Sequence, residues 1–118
     1  MDMEKVQVGL VRGRHEMPVS RYVFEAIADP TDFEGMARVA SDFVLQEVGI
    51  IIRVGRPLNS ADYTDLPCYT GVCELVVYVT GLTAAAAAVI RACAIYGVTL
   101  TLMHYDREAG GYVPQRIF

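Results

Sequence analysis

Residues 73–105, CELVVYVTGLTAAAAAVIRACAIYGVTLTLMHY, decide the fold. Their first part, residues 74–79, is apolar and β-branched with little alternation, as expected of a strand buried on both faces. Residues 84–96 contain neither Gly nor Pro and predict a helix, which Gly97 is expected to end. Residues 98–105 return to a strand-like composition. Strand, helix and strand in this order predict one right-handed βαβ unit.

The loop Thr80-Gly81-Leu82-Thr83 joins the first strand of this unit to its helix. A helix N-terminus presents unpaired backbone N–H groups and the positive end of a dipole, and both suit an anion. Thr80 and Thr83 add hydroxyl groups, and Gly81 allows close backbone approach. Thr83 is the expected N-cap. The loop is therefore a candidate site for an anionic ligand, with an ordinary capped βα turn as the alternative.

Three further strands are expected outside this unit. Residues 6–11 predict a first strand. Residues 106–111 form a turn cluster, and residues 112–118 predict a final strand antiparallel to its predecessor. Residues 50–54, which are mainly β-branched, predict a short strand between these two.

The strongest helical pattern outside the βαβ unit covers residues 31–48. Thr31 and Glu34 have the spacing of a capping box, and apolar residues recur after them at helical intervals. Gly49 is expected to end this helix. Residues 20–27 predict only a short helix or an irregular turn. Together the elements predict fold class α/β, a Rossmann-like sandwich with a mainly parallel sheet and an antiparallel C-terminal edge strand.

A charged cluster, Arg12-Gly13-Arg14-His15, directly follows the first strand. In an open parallel sheet the loops at the carboxyl ends of neighbouring strands line the ligand crevice, so we expect this cluster beside residues 80–83. Arginine binds phosphate oxygens as a planar fork, and histidine titrates near neutral pH. Arg12 and Gly13 are thus candidate ligand-binding residues, and Arg14 and His15 are candidate catalytic residues. The alternatives are a solvated surface loop and a structural histidine.

Residues 58–71 are polar and show no periodicity. Long irregular loops are unusual in compact domains, and many are lids or partner-contacting arms. Tyr63 and Tyr69 in this segment are candidate stacking surfaces for a base. The alternative is that they anchor the loop against the domain.

Composition and charge limit the partners of the chain. Its 118 residues suit one domain, residues 1–118, and 53% are hydrophobic against 20% charged, which favours a homodimer that covers apolar surface. A net charge of −4 argues against binding duplex nucleic acid. No apolar run approaches the roughly 20 residues that span a bilayer, and no signal-peptide pattern is present, so a cytoplasmic location without membrane contact is expected.

Cysteine usage bears on redox chemistry and metals. The three cysteines are Cys68, Cys73 and Cys93, and an odd number without a secretion signal argues against a disulfide framework. The spacing of Cys68 and Cys73 suits a metal, but a zinc site usually needs four ligands. We therefore expect packed, reduced thiols, no metal and no cofactor.

With Tyr78-Val79-Thr80-Gly81-Leu82-Thr83 and the small-residue helix after it, the chain resembles the small Rossmann-like proteins associated with CRISPR systems. These are the CARF-type sensor domains and the compact ring nucleases. The resemblance covers residues 6–15 and 73–118, and Leu82 stands where the fuller motif, Thr-Gly-Gly-Thr, has a second glycine.

This resemblance implies a homodimer that binds a cyclic oligonucleotide second messenger across its two-fold axis. It implies a role in antiviral defence, in which the messenger is either sequestered or cleaved by a metal-independent phosphodiesterase that uses the ribose 2′-hydroxyl. The alternative is a non-enzymatic accessory or interaction protein that acts through a homo-oligomeric apolar surface.

Overall fold

The computed structural model describes residues 4–13, 17–55 and 73–118. This part of the chain forms a five-stranded, mostly parallel sheet and two helices. In chain order the elements are β1 (Glu4–Val11), β2 (Tyr22–Phe24), α1 (Phe33–Gly55), β3 (Cys73–Tyr78), α2 (Thr83–Tyr96), β4 (Thr99–Asp106) and β5 (Gly111–Arg116). The arrangement confirms the predicted α/β class, a Rossmann-like sandwich with an antiparallel C-terminal edge strand. The loop predicted at residues 58–71 lies outside the described residues.

The strands lie in the order β2-β1-β3-β4-β5. The first four are parallel, and β5 is antiparallel to β4. Gly9 of β1 lies opposite Tyr78 of β3, which confirms that the first strand lies beside the strand of the βαβ unit. The chain leaves β1 toward β2 and then returns to the other side of β1. The carboxyl ends of β1 and β3 therefore flank the point where the strand order reverses, which is where such sheets bind ligands.

Both helices cover one face of the sheet. The chain moves in the same direction along the sheet from β2 to β3 and from β3 to β4. Because both crossover connections have the same, right-handed sense, their helices α1 and α2 lie on the same face of the sheet. Leu10, Leu75 and Leu100 are fully buried in the core that the strands form with the two helices. The β1–β2 connection steps in the opposite direction, and its Met17 packs with Tyr78 in a separate cluster.

Helix α1 corrects two predictions. It continues through Gly49 to Gly55, so residues 50–54 are helical and do not form a strand. An isolated glycine costs a helix only about 1 kcal/mol relative to alanine, and a short β-branched run fits either structure. Neither described helix has the length and apolar composition needed to cross a membrane.

The start of α1 is also capped differently from the prediction. The Gly35 N–H donates to Asp32 Oδ1 at 3.0 Å, so Asp32 is the N-cap of a helix that begins at Phe33. The Thr31 N–H and hydroxyl instead donate to Asp29 Oδ1, at 2.9 and 2.7 Å, and these bonds lower the pKa of Asp29. The capping box of Thr31 and Glu34 was therefore wrong, because Thr31 is engaged upstream of the helix.

We expect Asp32→Ala to lower the free energy of unfolding by about 0.5–2 kcal/mol, since it removes the acceptor for the first turn of α1. Thr31→Ala should have a smaller effect, because it removes only the hydroxyl bond to Asp29 and leaves the first turn of α1 capped by Asp32. Urea unfolding of the two variants, followed by circular dichroism, measures both losses. A larger loss for Thr31→Ala would contradict the assignment of the cap.

Strand β2 replaces the short helix or turn predicted for residues 20–27. It has three residues, too few to show a strand periodicity in the sequence. The Gly9 N–H donates to the Arg21 carbonyl at 2.8 Å, and the Arg12 N–H donates to the Phe24 carbonyl at 3.0 Å. Pairing with β1 thus makes this segment a strand.

Candidate ligand cleft

A cleft of about 380 Å³ opens at the carboxyl ends of β3 and β4. This volume falls within the range of roughly 300–1,000 Å³ that is typical of small-molecule sites. The described residues that line it are Val79, Thr80, Gly81, His104, Tyr105 and Arg107. Two residues predicted to bind ligand, Thr80 and Gly81, are therefore in the cleft.

Helix α2 starts beside this cleft without a side-chain cap. Its N-cap residue is Leu82, in an extended conformation, and no side chain accepts a hydrogen bond from the first turn. The prediction that Thr83 caps the helix was wrong, because Thr83 is already the first helical residue. No acidic residue lies in the first turn, so no side chain there offsets the positive end of the helix dipole.

The other loop residues differ in what they contribute. The Leu82 side chain packs against the main hydrophobic core, so its role in the loop is to anchor the start of α2. A Cβ added at Gly81 would meet no atom within 4 Å, and Gly81 does not have a positive φ. Open space at this backbone position leaves room for a ligand to approach. Gly13 differs, because its φ of 82° is a conformation that favours glycine.

The end of β4 contributes an imidazole to the cleft. His104 Nε2 lies 2.7 Å from Gln115 Oε1, on the neighbouring strand β5. Gln115 therefore holds the exposed His104 ring in position at the end of β4.

Arg107 follows β4 in a hairpin turn that holds its backbone. Asp106 accepts a bond from the Glu108 N–H through its carboxylate at 3.0 Å, and one from the Gly110 N–H through its carbonyl at 2.9 Å. Arg107 is exposed and forms no ion pair with any residue in the described ranges. Its guanidinium is therefore available to an anion in the cleft.

Tyr105 is the aromatic side chain of the cleft and is 50% exposed. Its ring meets that of Tyr112 at 5.5 Å in an edge-to-face arrangement, and Tyr112 meets Tyr78 in the same way at 4.8 Å. Burial raises the pKa of Tyr112, with smaller contributions from the neighbouring tyrosines. The Tyr112 ring, in the middle of this row, is thus uncharged at neutral pH.

Arg12 lies at the carboxyl end of β1, but its guanidinium is engaged on the side of β2. It forms two hydrogen bonds with the Glu25 carboxylate and lies 4.6 Å above the Tyr22 ring. The hydrogen bond between the two groups lowers the pKa of Glu25 and raises that of Arg12. A phosphate contact by Arg12 stays a prediction, and a ligand would have to compete with Glu25 for it.

The predicted catalytic residues Arg14 and His15 lie outside the described residues, as do Tyr63 and Tyr69. The expected proximity of the Arg14 and His15 side chains to the loop after β3 therefore stays a prediction. Among the described residues, no three His, Cys, Asp or Glu side chains come together as metal ligands.

Sequence reasoning missed His104, Tyr105 and Arg107. The signal that could have found them is their position, since β4 is the next parallel strand and its carboxyl end must lie beside residues 80–83. The backbone confirms this proximity, because the Val79 N–H donates to the Met103 carbonyl at 3.0 Å.

The described residues form a Rossmann-like α/β fold with a cleft at the carboxyl edge of its sheet. Comparison with known proteins adds no closer relationship: no family model, no curated protein and no solved structure matches the chain.

Proposed function

We propose that the protein binds a small anionic nucleotide ligand in this cleft. The observation that carries the proposal is that Arg107, which has no ion-pair partner among the described residues, lines one cleft with Thr80 and Gly81, and that this loop leads directly into the uncapped start of α2. Backbone N–H groups at a helix N-terminus and a guanidinium both bind phosphate oxygens well. The Thr80 hydroxyl and the His104 imidazole are further hydrogen-bonding groups on the cleft wall.

We propose further that the physiological ligand is a cyclic oligonucleotide second messenger bound by a homodimer. A cleft of about 380 Å³ has room for about one nucleotide unit, so a ring would use the clefts of two copies. The protein then either sequesters the messenger or cleaves it as a metal-independent phosphodiesterase, with Arg14 and His15 as the proposed catalytic residues. Chromatography of the ligand after incubation separates the two outcomes, because cleavage linearises the ring.

Thermal-shift assays with cyclic di-, tri-, tetra- and hexanucleotides test ligand binding. A ligand at a hundred times its Kd stabilises the folded state by about 2.7 kcal/mol, which raises Tm by several degrees. We expect Arg107→Ala to weaken the affinity for the active compound roughly 10- to 150-fold, as for a lost hydrogen bond to a charged group. Arg91→Ala is the matched control, since it removes the same charge from an exposed position on α2 outside the cleft.

A second variant tests the approach of the ligand to the backbone. Gly81→Val should leave Tm unchanged, because the space around Gly81 is open, yet it should weaken binding by filling that space. If Arg107→Ala and Gly81→Val both bind as the wild type does, the ligand is not in this cleft. If none of the cyclic compounds raises Tm, the proposed messenger is wrong.

The alternative function is that of an accessory protein acting through a homo-oligomeric apolar surface. It is favoured by large hydrophobic side chains that are 43–63% exposed, among them Phe33, Ile95 and Val113. Met103 directs its carbonyl to β3, so its partner Pro114 directs its backbone away from β4, toward the outer edge of the sheet that the described residues form. Proline has no N–H to offer another strand there. An oligomer would therefore use these side chains in place of edge pairing. Light scattering that gives a monomer mass at micromolar concentration would contradict this alternative and the homodimer proposed for the cyclic messenger, and would leave nucleotide binding in the cleft as it stands.

A further inference from the structure

We infer that Tyr105 is a stacking surface for a nucleobase, so that the cleft selects ligands that carry an aromatic base next to a phosphate. This inference rests on the proposed function and specifies its ligand class. The observation that carries it is that Tyr105, which is half exposed, lines the same cleft as Arg107 and the Thr80-Gly81 loop.

The sheet holds the Tyr105 ring in place. Tyr105 and Tyr112 are direct cross-strand partners on β4 and β5. Because Met103 directs its carbonyl to β3, Tyr105, two residues further along β4, also directs its backbone to β3. Tyr105 and Tyr112 therefore form a non-hydrogen-bonded pair, the kind in which facing side chains lie closest.

The row of rings is anchored at its far end. Tyr78 is only 9% exposed, and its hydroxyl donates to Gln7 Oε1 at 3.3 Å. Tyr112 lies between Tyr78 and Tyr105, with edge-to-face contacts to both. A ring that is already positioned loses little conformational entropy when a ligand stacks on it, so more of the stacking free energy appears as affinity.

Charge and position distinguish Tyr105 from the other exposed aromatic residues. Phe33 and Phe118 are 63% and 46% exposed, but neither lines the cleft. Tyr105 is two residues before Arg107, so one short segment brings a π surface and a cation to the same cleft. Stacking on a tyrosine tolerates all bases, because every base has a π face. The predicted class is therefore nucleotides in general, with base identity read by other groups.

A matched pair of probes isolates the base. AMP and ribose 5-phosphate carry the same phosphate on the same sugar and differ by the adenine. Titration of the ¹⁵N-labelled protein with each probe to millimolar concentration, followed by NMR, should show AMP binding roughly 5- to 150-fold more tightly. Tyr105→Ala should abolish this preference and leave the affinity for ribose 5-phosphate unchanged. Tyr105→Phe should retain the preference, and so should the control Phe33→Ala.

The outcomes separate the inference from the function on which it rests. Equal binding of the two probes by the wild type, or an AMP preference that survives Tyr105→Ala, would overturn stacking and leave the anion site intact. If Tyr105→Ala bound neither AMP nor ribose 5-phosphate, stacking would also be overturned, since Tyr105 would then be needed for the structure of the whole cleft and not for the base alone. If the wild type binds neither probe, the anionic nucleotide site itself is overturned.

Discussion

Ala40→Asp should lower the free energy of unfolding by about 3–5 kcal/mol, as expected when a charge is buried without a partner. Ala40 is fully buried, and it lies one helical turn from Met36 and from Val44, both also buried, on the face of α1 that packs in the main core. An introduced carboxylate would lose its hydration, and its atoms would overfill a packed site. Since domains of this size are stable by only about 5–15 kcal/mol, much of the protein could unfold.

Val39→Asp is the matched control for this variant. It places the same carboxylate one residue earlier in the same helix, at a position that is 43% exposed. Substitutions at such surface positions usually change stability by no more than about 0.5 kcal/mol. Urea unfolding of the two variants measures the difference. Similar stabilities would show that this face of α1 does not pack against the sheet.

Gly9→Val should lower the free energy of unfolding by about 1–3 kcal/mol through overpacking. A Cβ at Gly9 would lie 2.5 Å from two atoms of the Tyr22 ring and 3.0 Å from Met17 Sδ. The ring cannot stay in place, so its contact with the Arg12 guanidinium should be lost as well. Chemical unfolding measures the loss of stability, and the NMR shifts of the Arg12 side chain report the loss of the ring contact.

Gly111→Val provides the comparison for this strand glycine. Gly111 starts β5, lacks a positive φ and has no atom within 4 Å of an added Cβ. Valine also suits a strand better than glycine does, so we expect no loss of stability. If both glycine variants unfold at the same urea concentration as the wild type, Tyr22 does not need the space above Gly9.

The site shows where sequence reasoning stops. Thr80 and Gly81 were predicted to bind ligand because they join a buried strand to a helix, and both line the cleft. Arg12 was predicted by the same logic, and its place at the end of β1 was right. The direction of its guanidinium depends on Glu25, which is brought beside it by the pairing of β2 with β1. A strand of three residues is too short to show a hydrophobic periodicity, so the sequence does not predict this pairing.

The sequence by itself determined the elements whose signals are local. A β-branched run, a helix-forming run and Gly97, with a φ of 70° at the end of α2, were enough to predict β3, α2 and β4 in order. Such signals depend on backbone propensities, which act over a few residues.

Only the tertiary structure decided the features that depend on distant neighbours. Residues 50–54 could form a helix or a strand, and the choice was not encoded in their composition. His104, Tyr105 and Arg107 became candidate ligand contacts because parallel pairing sets the end of β4 beside the loop that precedes α2. Long-range pairing overrides or completes local preference, because its hydrogen bonds and buried apolar surface arise only once the strands meet.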